Sequence, residues 1–350
     1  MSVIYFIFVL GLIVFVHELG HLIVAKAFNI YCKEFSLGFG PVVWSKQKSE
    51  TQYSIRAIPL GGFVAMAGES EHSIDVDIPF ERTIKGVHPF KRILVMLAGI
   101  AFNFLLAIVI FTGLVLSQGG INTPPDAIVD RVVENSPAQS VGLQKDDRII
   151  SISLPDGSLF TPTDFYDVIN ITQIIGDTMT FNIQRNNQMI AIEITPEYDA
   201  ANQRYYLGLF VPPANFKPVP WFQAPWYGFD AFITSFLQVI ASLGLLVRGI
   251  GLNQVSGPVG IFNITAQSAQ AGVRSLFALI AILSVNIAVF NLLPLPILDG
   301  GRVIITGIEW IIRKPLPEKI EHNLMGISLF LMLALFVLVT FQDIWRLIFS

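Results

Sequence analysis

The chain has 350 residues, 53% of them hydrophobic and 14% charged, with a formal net charge of −4. That balance is too apolar for an ordinary soluble protein and marks a membrane protein, and no basic block suggests a nucleic-acid partner. The single cysteine, Cys32, excludes an internal disulfide framework and a cysteine-rich zinc site.

The first apolar run, Val3–Phe28, is long enough to cross a hydrocarbon core of about 30 Å at about 1.5 Å per residue. It lacks a basic leader and a small-residue cleavage site, so it is expected to be retained rather than removed as a signal peptide. Within it stands His17-Glu18-Leu19-Gly20-His21. On a helix His17 and His21 project from one face, with Glu18 beside them. H-E-x-x-H is a zinc-hydrolase pattern: the two imidazoles hold the metal and the glutamate handles the proton of a water. In lipid such groups cost several kcal/mol, roughly, so they are expected to face protein and to mark a functional site.

Lys33–Arg92 is dense in Lys and Arg next to membrane spans, which argues that it is cytoplasmic and that the N-terminus is outside. Phe35–Trp44 and Gln52–Ala67 read as strands, with bends at Gly38-Phe39-Gly40-Pro41 and Gly61-Gly62. The apolar stretch Ile58–Ala67 is expected to tuck against or into the membrane. Ile93–Leu116 is a second span; its Asn103 reads as interhelical glue. Gly119–Pro196 then changes character. Strands are expected at Ala127–Val133, Arg148–Leu154, Thr178–Gln184 and Met189–Thr195, the last two joined by a hairpin turn at Asn186-Asn187. A helix capped by Thr161 is expected to run to about Gln173. Asn215–Pro225 reads as an interfacial linker. Trp226–Arg248 is apolar but interrupted by Asp230, Thr234, Ser235, Gln238 and Ser242. Ala278–Leu293 and Gly326–Phe341 are the cores of two further spans.

A catalytic zinc usually takes three protein ligands, and H-E-x-x-H supplies two. The stretch Asn291-Leu292-Leu293-Pro294-Leu295-Pro296-Ile297-Leu298-Asp299-Gly300 offers the third: its prolines break a helix and Asp299 follows in an apolar setting. The alternative for Asp299 is a helix-end cap. Its depth matches that of the histidines if Trp226–Arg248 lies along the outer surface as an interfacial helix, which leaves four spans.

These residues resemble the site-2 proteases, zinc intramembrane metalloproteases, and most closely the bacterial RseP-type branch. Ile58-Pro59-Leu60-Gly61-Gly62-Phe63 and Ser256-Gly257-Pro258-Val259-Gly260-Ile261 are similar to that branch. Ser136-Pro137-Ala138, Val141-Gly142-Leu143 and Asp146-Asp147-Arg148-Ile149 are similar to its PDZ module, with room for one such module. The resemblance implies a mainly α-helical polytopic membrane protein with about four transmembrane helices, a membrane-associated β-hairpin element and an inserted extracytoplasmic α+β PDZ-like domain. Its domains would be 1–28 (first span), 29–92 (cytoplasmic-side β element and loop), 93–117 (second span), 118–213 (PDZ-like), 214–275 (linker and outer helix), 276–302 (third span), 303–323 (cytoplasmic loop) and 324–350 (fourth span).

It further implies that His17, His21 and Asp299 bind Zn2+, that Glu18 is the general base, and that Asn286 and Asn291 hold the substrate backbone. Gly38, Phe39 and Gly40 would pair with an unwound substrate as an added strand. Implied substrates are single-span membrane proteins, of anti-sigma-factor or remnant-signal-peptide type, in the bacterial inner membrane. The PDZ-like domain would filter substrates by size or by an exposed C-terminus, with free C-terminal tails as partners in the second case. The other reading of the same residues is a membrane-anchored binding module whose metal site is structural or vestigial.

Overall fold

In the computed structural model, residues 1–69, 78–199, 204–247 and 256–349 are described. The chain divides into two compact units, Met1–Ser117 with Trp221–Ser350, and Gln118–Pro220. Among the described residues, four helices are long and apolar enough to cross a membrane: Ser2–Ala27, Pro89–Gln118, Val273–Asn291 and Lys319–Trp345. They lie where the sequence places its spans, because an uninterrupted apolar run of about 20 residues can satisfy its backbone in lipid only as a helix.

Helix α1 (Ser2–Ala27) leads into two long antiparallel strands, β1 (Cys32–Lys48) and β2 (Thr51–Met66). Each strand bends and pairs twice. Cys32–Leu37 lies between Gln52–Ile55 on one side and Gly62–Met66 on the other, while Trp44–Lys48 pairs with Thr51–Ile55. Two strands thus make a sheet four segments wide. The bends fall at Gly38, Gly40 and Gly61, all at positive φ, where a side chain would be strained. Phe39, Val43, Trp44, Ile55 and Ile58 are exposed on this sheet, an apolar surface that suits contact with lipid. Cys32 is buried at the start of β1, and burial pushes its thiol up to about 11, which makes it inert.

Helix α2 (Pro89–Gln118) is continuous. Helices α5 (Ala224–Val247) and α7 (Val273–Asn291) both run antiparallel to it. For α5, Gly228 lies against Thr112, and Phe232 and Phe236 flank Phe104. For α7, Arg274 donates to Ser117 O at 2.7 Å and Ser284 Oγ donates to Asn103 O at 2.9 Å. Helix α5 covers the stretch expected to lie along the outer surface, and it is not among the four helices long and apolar enough to cross a membrane. Phe232, Ile233, Phe236 and Val239 form an apolar stripe that packs in the cluster of Val9, Ile13, Ala107 and Ile280, which sets α5 beside α2. Asp230, Thr234 and Gln238 take its exposed side. Arg248, the expected end of this helix, lies outside the described residues. Helix α7 likewise runs antiparallel to α2, and the chain beyond it brings Asp299 beside His17 and His21. Helix α6 (Pro258–Ala271) begins in the Ser256–Ile261 motif, where the Gly260 amide donates to the buried Asp343 carboxylate of α9 (Glu318–Phe349) at 2.7 Å.

The second unit holds β3 (Gly120–Thr123), α3 (Pro137–Ser140), β4 (Arg148–Ser153), β5 (Leu159–Phe160), α4 (Phe165–Ile174), β6 (Met179–Arg185), β7 (Gln188–Ile194), β8 (Glu197–Asp199), β9 (Arg204–Tyr206) and β10 (Asn215–Pro218). Its main sheet is antiparallel in the order β5-β4-β6-β7. Met179, Phe181 and Ile183 alternate inward onto a core with Val129, Ile152 and Val168. Asn186 and Asn187 both take positive φ, as a tight hairpin of this kind requires.

Three local expectations are corrected in this unit. Helix α4 is capped by Asp164, which accepts from the Asp167 amide at 3.0 Å, rather than by Thr161; a carboxylate is the better acceptor at an N-cap. Ala127–Val133 forms isolated bridges at Ile128 and Val132 rather than a strand. Asn215–Pro218 is part of the fold, pairing with Gly120–Thr123. The Asp146-Asp147 turn is made by Asp146 at φ 71°, while buried Asp147 pairs with Arg185 at 2.6 Å.

Candidate metal centre

Helix α1 delivers His17 and His21 one turn apart, both buried, with ring centroids 4.8 Å apart and planes at 85°. The third group comes from far along the chain. Helix α7 ends at Asn291, the proline-containing turn Leu292–Leu298 follows, and Asp299 opens α8 (Asp299–Ile312). Two glycines let that turn fold back on α8: a Cβ at Gly300 would lie 2.8 Å from Leu292 Cα, and one at Gly301 would lie 2.5 Å from Pro296 N. Ion pairs of Arg302 with Glu69, and of Arg92 with Glu309 at 2.8 Å, tie α8 to the turn that follows β2 and to α2.

The three side chains converge. His17 Nε2 lies 3.1 Å from Asp299 Oδ2, His21 Nε2 lies 3.4 Å from the same oxygen, and the two Nε2 atoms are 3.3 Å apart. A tetrahedral zinc with arms of about 2.05 Å has ligand–ligand edges of about 3.3 Å. The triangle therefore fits zinc. Asp299 Oδ2 is buried and accepts no hydrogen bond. A carboxylate serving as the cap of α8 would accept one from the helix amides, so the cap alternative does not describe this side chain.

Helix α2 supports the pair from behind. His21 Nδ1 donates to Val95 O at 2.8 Å, which leaves its Nε2 lone pair free for a metal. His17 Nδ1 lies 3.3 Å from the Asn103 amide. Between them, a Cβ at Gly99 would lie 2.7 Å from His17 Cε1 and 2.8 Å from His21 Cε1. Gly99→Ala is accordingly expected to displace the rings and weaken zinc binding by about 10–100-fold, the usual cost of disturbing the shell around a metal. Competition against a chelator of known affinity measures it; unchanged affinity would mean the rings can retreat.

Glu18 lies outside the ligand triangle, and its Cγ would be 3.2 Å from a Cβ on Gly62. It thus stands between the metal centre and the Gly62–Met66 segment, which among the described residues pairs only with Cys32–Leu37. Gly38–Gly40 lies at the bend of β1: Phe39 pairs with Ile58, Gly40 O accepts from Arg56 Nη1 at 2.8 Å, and the Phe39 ring covers Gly61. Asn286 and Asn291 are half-buried near the end of α7 and are not part of the three-residue cluster. Sequence reading missed Val95, Gly99 and Asn103 as partners of the histidines. Their spacing of four along one face of an apolar helix was the available signal.

Residues 5–335 match the model of Peptidase family M50. A Clostridium perfringens protein, provisionally named a zinc metalloprotease, is 36% identical over 346 residues, covering 98% of each chain. Zinc metalloprotease RasP of Bacillus licheniformis is 30% identical, with 99% of each chain covered. Regulator of sigma-W protease RasP of Bacillus subtilis is 29% identical over the same shares.

Proposed function

This chain belongs to peptidase family M50, the site-2 protease family of intramembrane zinc metalloproteases, and from that premise we propose that His17, His21 and Asp299 are its zinc ligands and Glu18 its general base. The observation that carries the assignment is the buried triangle of two imidazole nitrogens and one carboxylate oxygen, with edges of 3.1–3.4 Å. Zinc bound there supplies the Lewis acid that acidifies water and polarises the scissile carbonyl. Glu18 takes a proton from the attacking water at its carboxylate and returns it to the leaving amide nitrogen. Its position off the triangle suits that work, since a fourth ligand would close the site.

A substrate helix must unwind before its carbonyl is reachable, and the freed amides then need partners. The unpaired side of Gly62–Met66 runs beside Glu18, and a strand added there would receive them. Gly38, Phe39 and Gly40 adjoin that edge at the bend of β1. Asn286 and Asn291 would hold the substrate backbone from α7. The substrates are single-span membrane proteins. The sigma-W regulator name of one relative supports anti-sigma factors among them.

The unit Gln118–Pro220 acts as a PDZ-like module on the outer side, where it receives trimmed C-terminal tails. The Lys- and Arg-rich segment 33–92 supports a cytoplasmic position for the β sheet and the metal centre, in a bacterial inner membrane. The test is cleavage of a single-span reporter by purified protein in micelles. Removal of zinc by a chelator is expected to abolish cleavage and added zinc to restore it. Cleavage that persists at full rate in the chelated protein would overturn the reading.

A further inference from the structure

We propose that Asn103 is a positioning residue of the metal centre, its amide oxygen accepting the Nδ1 proton of His17 and so holding the Nε2 lone pair towards the metal. This rests on the assignment of His17 as a ligand. Asn103 is fully buried in a helix that is apolar around it, and its amide Nδ2 faces His17 Nδ1 at 3.3 Å, nitrogen against nitrogen. A neutral imidazole that binds a metal through Nε2 carries its proton on Nδ1, and that N–H needs an acceptor. His21 has one in Val95 O. For His17 the facing group is the Asn103 amide, which owns one acceptor, Oδ1, and that atom is buried with no hydrogen-bond partner. A half-turn of the amide exchanges Oδ1 with the Nδ2 that now faces the ring, and so gives Oδ1 and the His17 Nδ1 proton each other as partners. The interhelical tie at this residue is separate: it runs from Ser284 Oγ to the Asn103 backbone carbonyl at 2.9 Å and survives any side-chain change.

The full-length protein in micelles is compared as wild type, Asn103→Asp, Asn103→Leu, Asn103→Ala and His17→Ala. Zinc affinity is read by chelator competition, and cobalt(II) absorption reports the ligand geometry. Asn103→Leu is expected to weaken zinc by about 10–100-fold and to alter the cobalt band. Asn103→Asp keeps an acceptor and is expected to stay near wild type in both. Leucine suits an apolar helix better than aspartate, so a residue that only packs would give the reverse order. Wild-type affinity in Asn103→Leu, or a weaker Asn103→Asp than Asn103→Leu, overturns the proposal. Asn103→Ala reads the same loss if the leucine variant does not fold. His17→Ala keeps the two assignments apart: if it binds zinc normally the centre itself is misassigned, and if it alone loses zinc only the role of Asn103 fails.

Discussion

Glu18→Gln is expected to leave zinc content unchanged and to lower cleavage of a single-span reporter by at least about 10²-fold, within the 10²–10⁴ that a positioned general base contributes. The glutamine has the size and shape of the glutamate and keeps an acceptor oxygen. It cannot take up a proton from water. Because Glu18 stands off the His17–His21–Asp299 triangle, its neutralisation removes no metal ligand. Its neighbour Gly62 leaves room for either side chain. Single-turnover cleavage together with metal analysis of the same preparation checks both halves. Cleavage retained within a few-fold would take the proton-transfer role away from Glu18, and lost zinc would place Glu18 among the ligands instead.

Asp299→Asn is expected to give the opposite metal result with the same loss of activity. With two neutral imidazoles and one carboxylate proposed to hold the cation, the substitution would remove the only negative ligand of the three. The affinity loss is expected to exceed the about 10–100-fold that follows loss of a group outside the ligand shell. The backbone around it is held by features the substitution leaves alone: the close approach of Gly300 and Gly301 to Leu292–Pro296, and the Arg302–Glu69 pair. Chelator competition measures the loss. An Asp299→Asn protein that keeps zinc as tightly as wild type would send the search for a third ligand elsewhere. The pair of variants is informative together, since inactivity with zinc retained and inactivity with zinc lost separate base from ligand.

Where the sequence was read correctly, the physics is local. A run such as Val3–Phe28 has one stable form in lipid, and four apolar helices stand where such runs occur. H-E-x-x-H needs only the pitch of a helix to bring its imidazoles together. Pro294 and Pro296 cannot continue a helix, so a break between Asn291 and Asp299 was legible. The hairpin at Asn186-Asn187 is likewise written into its two turn residues.

What stayed hidden shares a cause. Polar interruptions in Trp226–Arg248 point to a helix at a surface, and what they could not show is that Phe232 and Phe236 pack on Phe104 of α2 while Asp230, Thr234 and Gln238 take the exposed side. Thr161 lost the cap of α4 to a better acceptor three residues on. Asn103 was read as a tie between helices, and through its backbone carbonyl it is one. That its side chain also faces a histidine 86 residues away could not be read from α2 alone.

By itself the sequence determined the apolar spans, the paired imidazoles with their carboxylate neighbour, and the broken helix that carries Asp299. Tertiary structure alone decided that Asp299 Oδ2 closes a triangle with His17 and His21, that β1 and β2 fold into four segments with one edge beside Glu18, and that Val95, Gly99 and Asn103 form the wall behind the rings. The first set follows from backbone geometry and solvent within a few turns of chain. The second depends on which apolar faces pack together, and that is settled by contacts between segments the sequence keeps far apart.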